Sequence, residues 1–187
     1  MTRLATLALL AALTATAGAD PEAQFPRLSI ETDPALFALD GYGFSIGGSA
    51  APHWHVLYTQ FAFDLYGFAT PAGWHARVDR GSFLWVKYYV APTNEGLFTG
   101  AALAVLGWDY TRGDSPGMDA RQDQYGAMPF VGYRWFPTAG GLFVQPWAGL
   151  GITLHKVGSD TIGTNKYEPK FPVFPLAAVH VGYEFGR

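Results

Sequence analysis

The sequence predicts an all-β chain, an eight-stranded antiparallel up-and-down transmembrane β-barrel. Three observations carry that prediction. The 187 residues are 49% hydrophobic and only 14% charged, against ~25% charged in an ordinary soluble domain. Yet after the first twenty residues no apolar run approaches the ~20 residues that a membrane helix needs. The apolar residues instead recur at every second position, the period of a strand with two unlike faces. Finally, the 23 Gly and 13 Pro cluster between these stretches, and the connections they mark alternate between short and long. A transmembrane barrel reconciles the three, because its strands are apolar on one face only.

The chain opens on a segment that reads as a secretory signal. Arg3 supplies the positive charge, Leu4 to Leu13 the apolar run and Ala17-Gly18-Ala19 the cleavage site, so residues 1–19 are expected to be a leader and 20–187 one barrel domain. Removing the leader takes one Arg from 12 basic groups and leaves 11 against 15 acidic ones, formally −4. Such weak acidity excludes electrostatic capture of nucleic acid as a main function. There is no cysteine, so packing rather than disulfides must hold an exported fold together.

The first strand is read at Arg27 to Thr32, with Leu28 and Ile30 out and Ser29 and Glu31 in. Asp33-Pro34 follows, an N-cap with proline at the first helical position, so Asp33 to Asp40 is expected to hold one helical turn. Gly43 to Ala50 sets Phe44 and Ile46 against Ser45, Gly47 and Ser49. Trp54 to Phe63 sets Leu57, Phe61 and Phe63 against Tyr58 and Gln60. Ser82 to Ala91 sets Leu84, Val86, Tyr88 and Val90 against Phe83, Trp85, Lys87 and Tyr89. Leu97 to Tyr110 is a strand whose faces are too alike to orient.

The last three strands alternate cleanly. From Gln124, one face is Tyr125, Ala127, Pro129, Val131, Tyr133 and Trp135, opposed by Gln124, Gly126, Met128, Phe130, Gly132 and Arg134. From Leu142, Leu142, Val144, Pro146, Ala148, Leu150, Ile152 and Leu154 oppose Phe143, Gln145, Trp147, Gly149, Gly151, Thr153 and His155. From Val173, Val173, Pro175, Ala177, Val179, Val181, Tyr183 and Phe185 oppose Phe174, Leu176, Ala178, His180, Gly182 and Glu184. One face is wholly apolar, as lipid requires, and the other mixes glycine with single polar groups, as a narrow interior requires. Pro129, Pro146 and Pro175 lie inside these strands, where a lost ladder bond leads one to expect bulges or kinks.

Short turns fall at Pro52, Pro92-Thr93-Asn94-Glu95 and Pro137-Thr138-Ala139-Gly140-Gly141. Long polar connections fall at Asp64–Gly81, Thr111–Asp123 and Lys156–Pro172. Bacterial barrels keep short turns in the periplasm and long loops outside, which places both termini in the periplasm and the chain in an outer membrane.

The C-terminal run Val179-His180-Val181-Gly182-Tyr183-Glu184-Phe185 resembles the terminal assembly signal of outer-membrane barrels, and the whole plan resembles the small eight-stranded barrels of the OmpA/OmpX type. The resemblance implies that Val179, Val181, Tyr183 and Phe185 are read by the barrel-assembly machinery. It implies location and fold, not an activity. Lipid A-modifying enzymes share the architecture. Their deacylase type carries His-x-Ser, but Gly182 follows His180 and Val157 follows His155. Their palmitoyltransferase type uses a loop His with Asp-Ser, for which His75 and Asp114-Ser115 are the available residues.

Inside, Arg134, Gln145 and Glu184 lie near the periplasmic end of adjacent strands. An isolated charge in a dry interior costs several kcal/mol, so Arg134 and Glu184 are expected to meet with Gln145 between them. Lys87 is the other inward cation, Glu31 its expected partner, and His180 shares the inward face. A structural plug explains this network, and a gate or ion path is the sharper alternative. Eight strands leave an interior that side chains fill, and Phe143, Trp147 and Phe174 are bulky, so a filled barrel is expected rather than a channel. His53 and His55 share a face across Trp54 but lack a visible third ligand, so neither a metal nor a cofactor is expected. Trp54, Trp85, Trp108, Trp135 and Trp147 fall on strands and Trp74 in a loop. Tyr42, Tyr110, Tyr133 and Tyr183 fall near strand ends, where interface girdles, or a carbohydrate-stacking site, would place them.

Three readings of function stand. The first is a monomeric outer-membrane barrel of structural or surface-interaction type, with no assignable activity, in contact with outer-membrane lipid. The second is an enzyme acting on lipid A or phospholipid. The third is a soluble periplasmic lipocalin-like binder of an apolar ligand.

Overall fold

Strands with one apolar outer face and one mixed inner face can satisfy every edge by curling into a ring, because closure leaves no bare row of N–H and C=O groups. The computed structural model has that ring. It describes residues 27–65, 67, 69–169 and 173–186; the expected leader, 1–19, lies outside them. The barrel strands are β1 (Leu28–Thr32), β2 (Tyr42–Ala51), β3 (Trp54–Leu65), β4 (Trp74–Tyr89), β5 (Gly96–Arg112), β6 (Asp119–Arg134), β7 (Leu142–Gly158) and β10 (Phe174–Glu184). Each pairs antiparallel with the next barrel strand, and β10 closes on β1. The connection from β7 to β10 carries a small ribbon, β8 (Thr161–Ile162) with β9 (Asn165–Lys166). Among the described residues no helix is long and apolar enough to cross a membrane.

The first strand forms as its pattern requires. Leu28 and Ile30 are exposed while Ser29 and Glu31 are buried. The turn after it is a 3-10 helix, Pro34–Leu39, capped by Asp33, whose carboxylate accepts the Ala35 N–H at 3.0 Å. On β6 the outward face runs Tyr125, Ala127, Pro129, Val131 and Tyr133, then turns charged at Asp123, Arg121 and Asp119. The charged zone is laced across strands: Arg80 to Asp123 at 2.9 Å, Arg121 to Asp109 at 3.2 Å, and Arg77 to Asp64. On β5, Phe98, Ala102, Ala104 and Trp108 point in, and Leu97, Leu103 and Val105 point out.

The long connections are shorter than the sequence suggests. β3 ends at Leu65 and β4 begins at Trp74, so Asp64–Gly81 is largely strand. Thr111–Asp123 shrinks to residues 113–118, and β7 continues to Gly158. In β4 and β7 bulges are the reason, whereas β5 and β6 run on in one unbroken register to Thr111 and Asp119. Asp79 is an extra residue in β4, so the register shifts between Val78 and Arg80. Gly81, Phe83, Trp85, Lys87 and Tyr89 are buried on one side of it; Trp74, Ala76 and Val78 are buried on the other. A pattern that changes phase in mid-strand hides its own period. Leu154 does the same in β7, and His155, expected inward, pairs with outward Tyr125.

The bulges expected at Pro129, Pro146 and Pro175 do not form. Pro129 stays in register with Ala101, Pro146 with Val179 and Pro175 with Leu150. A proline removes a donor but adds no residue, so it costs one rung and leaves the register intact.

Candidate functional site

The interior divides into a polar half and an apolar half. The polar half lies at the end that carries the short turns, and Glu31 on β1 is its hub. Its carboxylate accepts Lys87 Nζ at 3.2 Å, Arg134 Nη2 at 2.9 Å and Gln145 Nε2 at 3.4 Å, and its Oε2 lies 2.9 Å from His180 Nδ1. Arg134 uses its whole fork: Nε donates to Gln145 at 2.8 Å and Nη1 to Glu184 at 3.0 Å. Its planar head lies over the Phe143 and Tyr89 rings, at 4.1 and 5.1 Å. Arg27 reaches the other Glu184 oxygen at 3.5 Å. Arg134, Lys87, Glu31 and Glu184 are at most 1% exposed at the side chain.

The six inward polar residues of the expected network thus lie in one hydrogen-bonded cluster fed by β1, β4, β6, β7 and β10. Tyr89 joins it by donating to Gln145 at 3.1 Å. Its place was visible only as a shared face with Lys87. Among the fully buried groups two carboxylates, Glu31 and Glu184, balance two cations, Lys87 and Arg134, as a dry interior demands, while the partly exposed Arg27 joins from the edge. Beside the cluster, Ser29 Oγ lies 3.0 Å from buried His55 Nε2. His53 and His55 do not share a face. His53 sits in the turn at φ 70°, with Nδ1 2.9 Å from the Tyr89 carbonyl and its ring stacked on Tyr88. Among the described residues no group of three His, Cys, Asp or Glu side chains is placed to hold a metal ion.

Above the cluster an aromatic layer crosses the barrel. Trp85 meets Trp147 edge to face at 5.0 Å and Phe130 at 4.9 Å, and the His180 ring lies against both indoles. Trp85 Nε1 donates to Thr59 at 2.9 Å, which fixes the indole in the layer.

Beyond that layer the filled-interior expectation fails. A cavity of ≈ 340 Å³ occupies the far half of the barrel. Phe61, Phe83 and Trp108 line one side, and the small residues Gly43, Gly126, Gly151 and Ala178 line it where bulky side chains would close it. Tyr110, expected at an interface girdle, instead points inward and packs on Tyr167 at 4.5 Å between ring centres. Burial raises the Tyr167 phenol above its ordinary pKa.

The residues offered for an enzyme are engaged elsewhere. His75 is on β4 rather than in a loop, and its Nε2 lies 3.4 Å from Asp64. Asp114 accepts Arg112 Nε at 2.8 Å, and that bond holds its carboxyl down to about 2; Ser115 donates to the same carboxylate at 3.2 Å.

With this geometry in hand, the chain superposes on the crystal structure of the N-terminal β-barrel domain of Pseudomonas aeruginosa OprF. The TM-score is 0.58 at 18% identity, covering 85% of this chain and 97% of that one. The two share one fold, a closed ring of eight antiparallel up-and-down strands. No family model matches the sequence, and no curated protein matches it either. At that identity the shared barrel is a likeness of fold.

Proposed function

We propose that this protein is an outer-membrane β-barrel of structural or surface-interaction type, sealed at its short-turn end. The observation that carries the reading is the outward band. On β6 it runs nine residues from Tyr125 to Tyr133, apolar throughout, with a tyrosine at each end and charge beyond Tyr125. A tilted membrane strand takes ~9–11 residues, and aromatic girdles flank its apolar band. The same band continues on β5 through Leu97, Leu103 and Val105 and on β10 through Val179 and Tyr183. A soluble barrel of this size has no use for so continuous an exposed apolar surface.

On this reading residues 1–19 export the chain, and Val179, Val181, Tyr183 and Phe185 present the terminal strand to the assembly machinery. Both termini and the short turns face the periplasm. The Glu31 hub and the Trp85–Trp147 layer close the bore, so the barrel anchors its outer loops without conducting ions. The test is to fractionate Gram-negative cells expressing the full chain, compare unheated and boiled migration on gels, and record the purified barrel in planar bilayers. Outer-membrane recovery, a heat-dependent shift and no stepwise conductance are expected. Recovery in the soluble periplasm, or steady open-channel steps, would overturn the proposal.

A further inference from the structure

We infer that the apolar cavity holds one hydrocarbon chain, admitted sideways through the wall between β10 and β2. The inference rests on the bilayer reading above for its route. The first support is the cavity's chemistry. Water fills a cavity only where polar partners await it, whereas a cavity lined by hydrocarbon stays dry and takes apolar guests. Here Phe61, Phe83, Leu106, Met128 and Leu176 line the space. At ≈ 340 Å³ the space is a little over twice the ~150 Å³ that takes the six carbons of benzene, so it suits a chain on the order of a dozen carbons.

The second support is the wall. β1 is five residues long and pairs with β10 only from Ser29 with Glu184 to Thr32 with Val181. From Phe174 to His180, β10 pairs with β7 on one side. On its other side, among the described residues, no strand pairs with it. The Pro34–Leu39 helix fills that gap, and its Leu36 and Leu39 line the cavity together with Leu176 and Ala178 of β10. Leu36 lies over Gly43, where a Cβ would come within 2.5 Å of the leucine methyl. A six-residue 3-10 helix is a poor permanent seal, since its bonds are weaker than those of a strand ladder. Phe37 on the same turn is 61% exposed and faces away from the barrel.

The third support is the rim. Lys156 and Thr153 of β7 and Gln124 of β6 also line the cavity, and Gln124 pairs with Lys156 in the ladder. A chain with an anionic head, whether a free fatty acid or a phospholipid, can leave its head at this cation while its tail lies inside.

Bromine quenching of indole fluorescence tests this in nanodiscs. The Trp54→Phe/Trp135→Phe background removes the two exposed outward indoles and leaves the inward ones. One arm uses phospholipid with brominated acyl chains; the other uses ordinary phospholipid with added ω-bromoundecanoate. Each arm is repeated with Ala178→Leu and with Ala104→Leu, both of which place methyls in the cavity, and folding of each is checked by the heat-dependent gel shift. Quenching in the first arm that both filled variants abolish assigns the chain to lipid; saturable quenching in the second arm alone assigns it to free acid. No quenching in either arm, or quenching that the filled variants leave unchanged, overturns the inference. The signal lost on removing Trp54 and Trp135 reads the bilayer contact separately. If brominated lipid quenches that pair and neither arm quenches the inward indoles, the membrane reading stands and this one falls. If it leaves the outward pair unquenched, the membrane reading fails while the acid arm still reports on the cavity.

Discussion

Replacing Glu31 by Gln keeps the size of the hub and removes its charge. In the wild type, Lys87 Nζ lies 3.2 Å from Glu31 Oε1, and Arg134 Nη2 lies 2.9 Å from the same atom. In the Glu31→Gln variant, Arg134 keeps Glu184 while buried Lys87 loses its carboxylate partner. Breaking a buried pair from one side leaves an uncompensated charge and costs ~3–5 kcal/mol. No discount for solvent screening applies, because these side chains are at most 1% exposed. At 1.4 kcal/mol per decade, even the lower bound shifts the folded-to-unfolded ratio by roughly 100-fold. The assay is urea titration of the bilayer-inserted barrel, read by gel migration without heating and by tryptophan fluorescence. The decisive comparison is the double variant Glu31→Gln/Lys87→Met, which restores one cation to one carboxylate. It should recover much of the loss, giving a coupling energy of opposite sign to the single effects. A single variant within ~1 kcal/mol of wild type, or a double variant as unstable as the sum of its parts, would refute the idea that charge balance at the hub holds the barrel.

Three further outcomes follow from other parts of the wall. Leu103, 62% exposed on the outer face of β5, should tolerate Arg almost freely if it faces water, but lose ~2–4 kcal/mol in bilayers if it faces lipid; the same urea titration decides between them. A Cβ at Gly182 would run into the Ile30 carbonyl oxygen on β1, so Gly182→Val should push β1 from β10 and cost ~1–3 kcal/mol or more, seen as loss of the heat-dependent gel shift. Asp33→Ala removes the cap that accepts the Ala35 N–H and should speed amide exchange over 35–39, by a local loss of ~1 kcal/mol, while exchange in β5 stays unchanged.

Much of the ring was legible because β6, β7 and β10 keep one phase along most of their length, so each outward residue announces itself by alternation. The outer half of β4 was not, because Asp79 inverts the phase there, and a window that spans the bulge averages the two faces away. β5 could not be oriented for a different reason. Its inward residues Phe98, Ala102, Ala104 and Trp108 serve an apolar core and cavity, so both of its faces are apolar. The pairing of Arg134 with Glu184 follows from the cost of a lone buried charge, which needs no coordinates. That Glu31 would take Arg134, Gln145 and His180 as well as Lys87 does not follow, since nothing in the order of residues shows that β1 faces β6 across the bore. The cavity was hidden for the same reason: it exists where Gly43, Gly126, Gly151 and Ala178 from four strands meet, and no single strand carries that information.

The shortness of β1 also bears on the order in which the molecule is made. Neighbouring strands such as β4 and β5, at 16 and 17 residues, zip from a tight local turn, and local pairing is the fast part of folding. The seam joins the first strand to the last, so it must bring together the two ends of the described sheet for the gain of a five-residue strand. Such a junction is the late and shallow step, and it works as a latch on a sheet that is otherwise already rolled. Glu31 sits in that latch, so the charge that settles the interior also supplies the chain's reason to close.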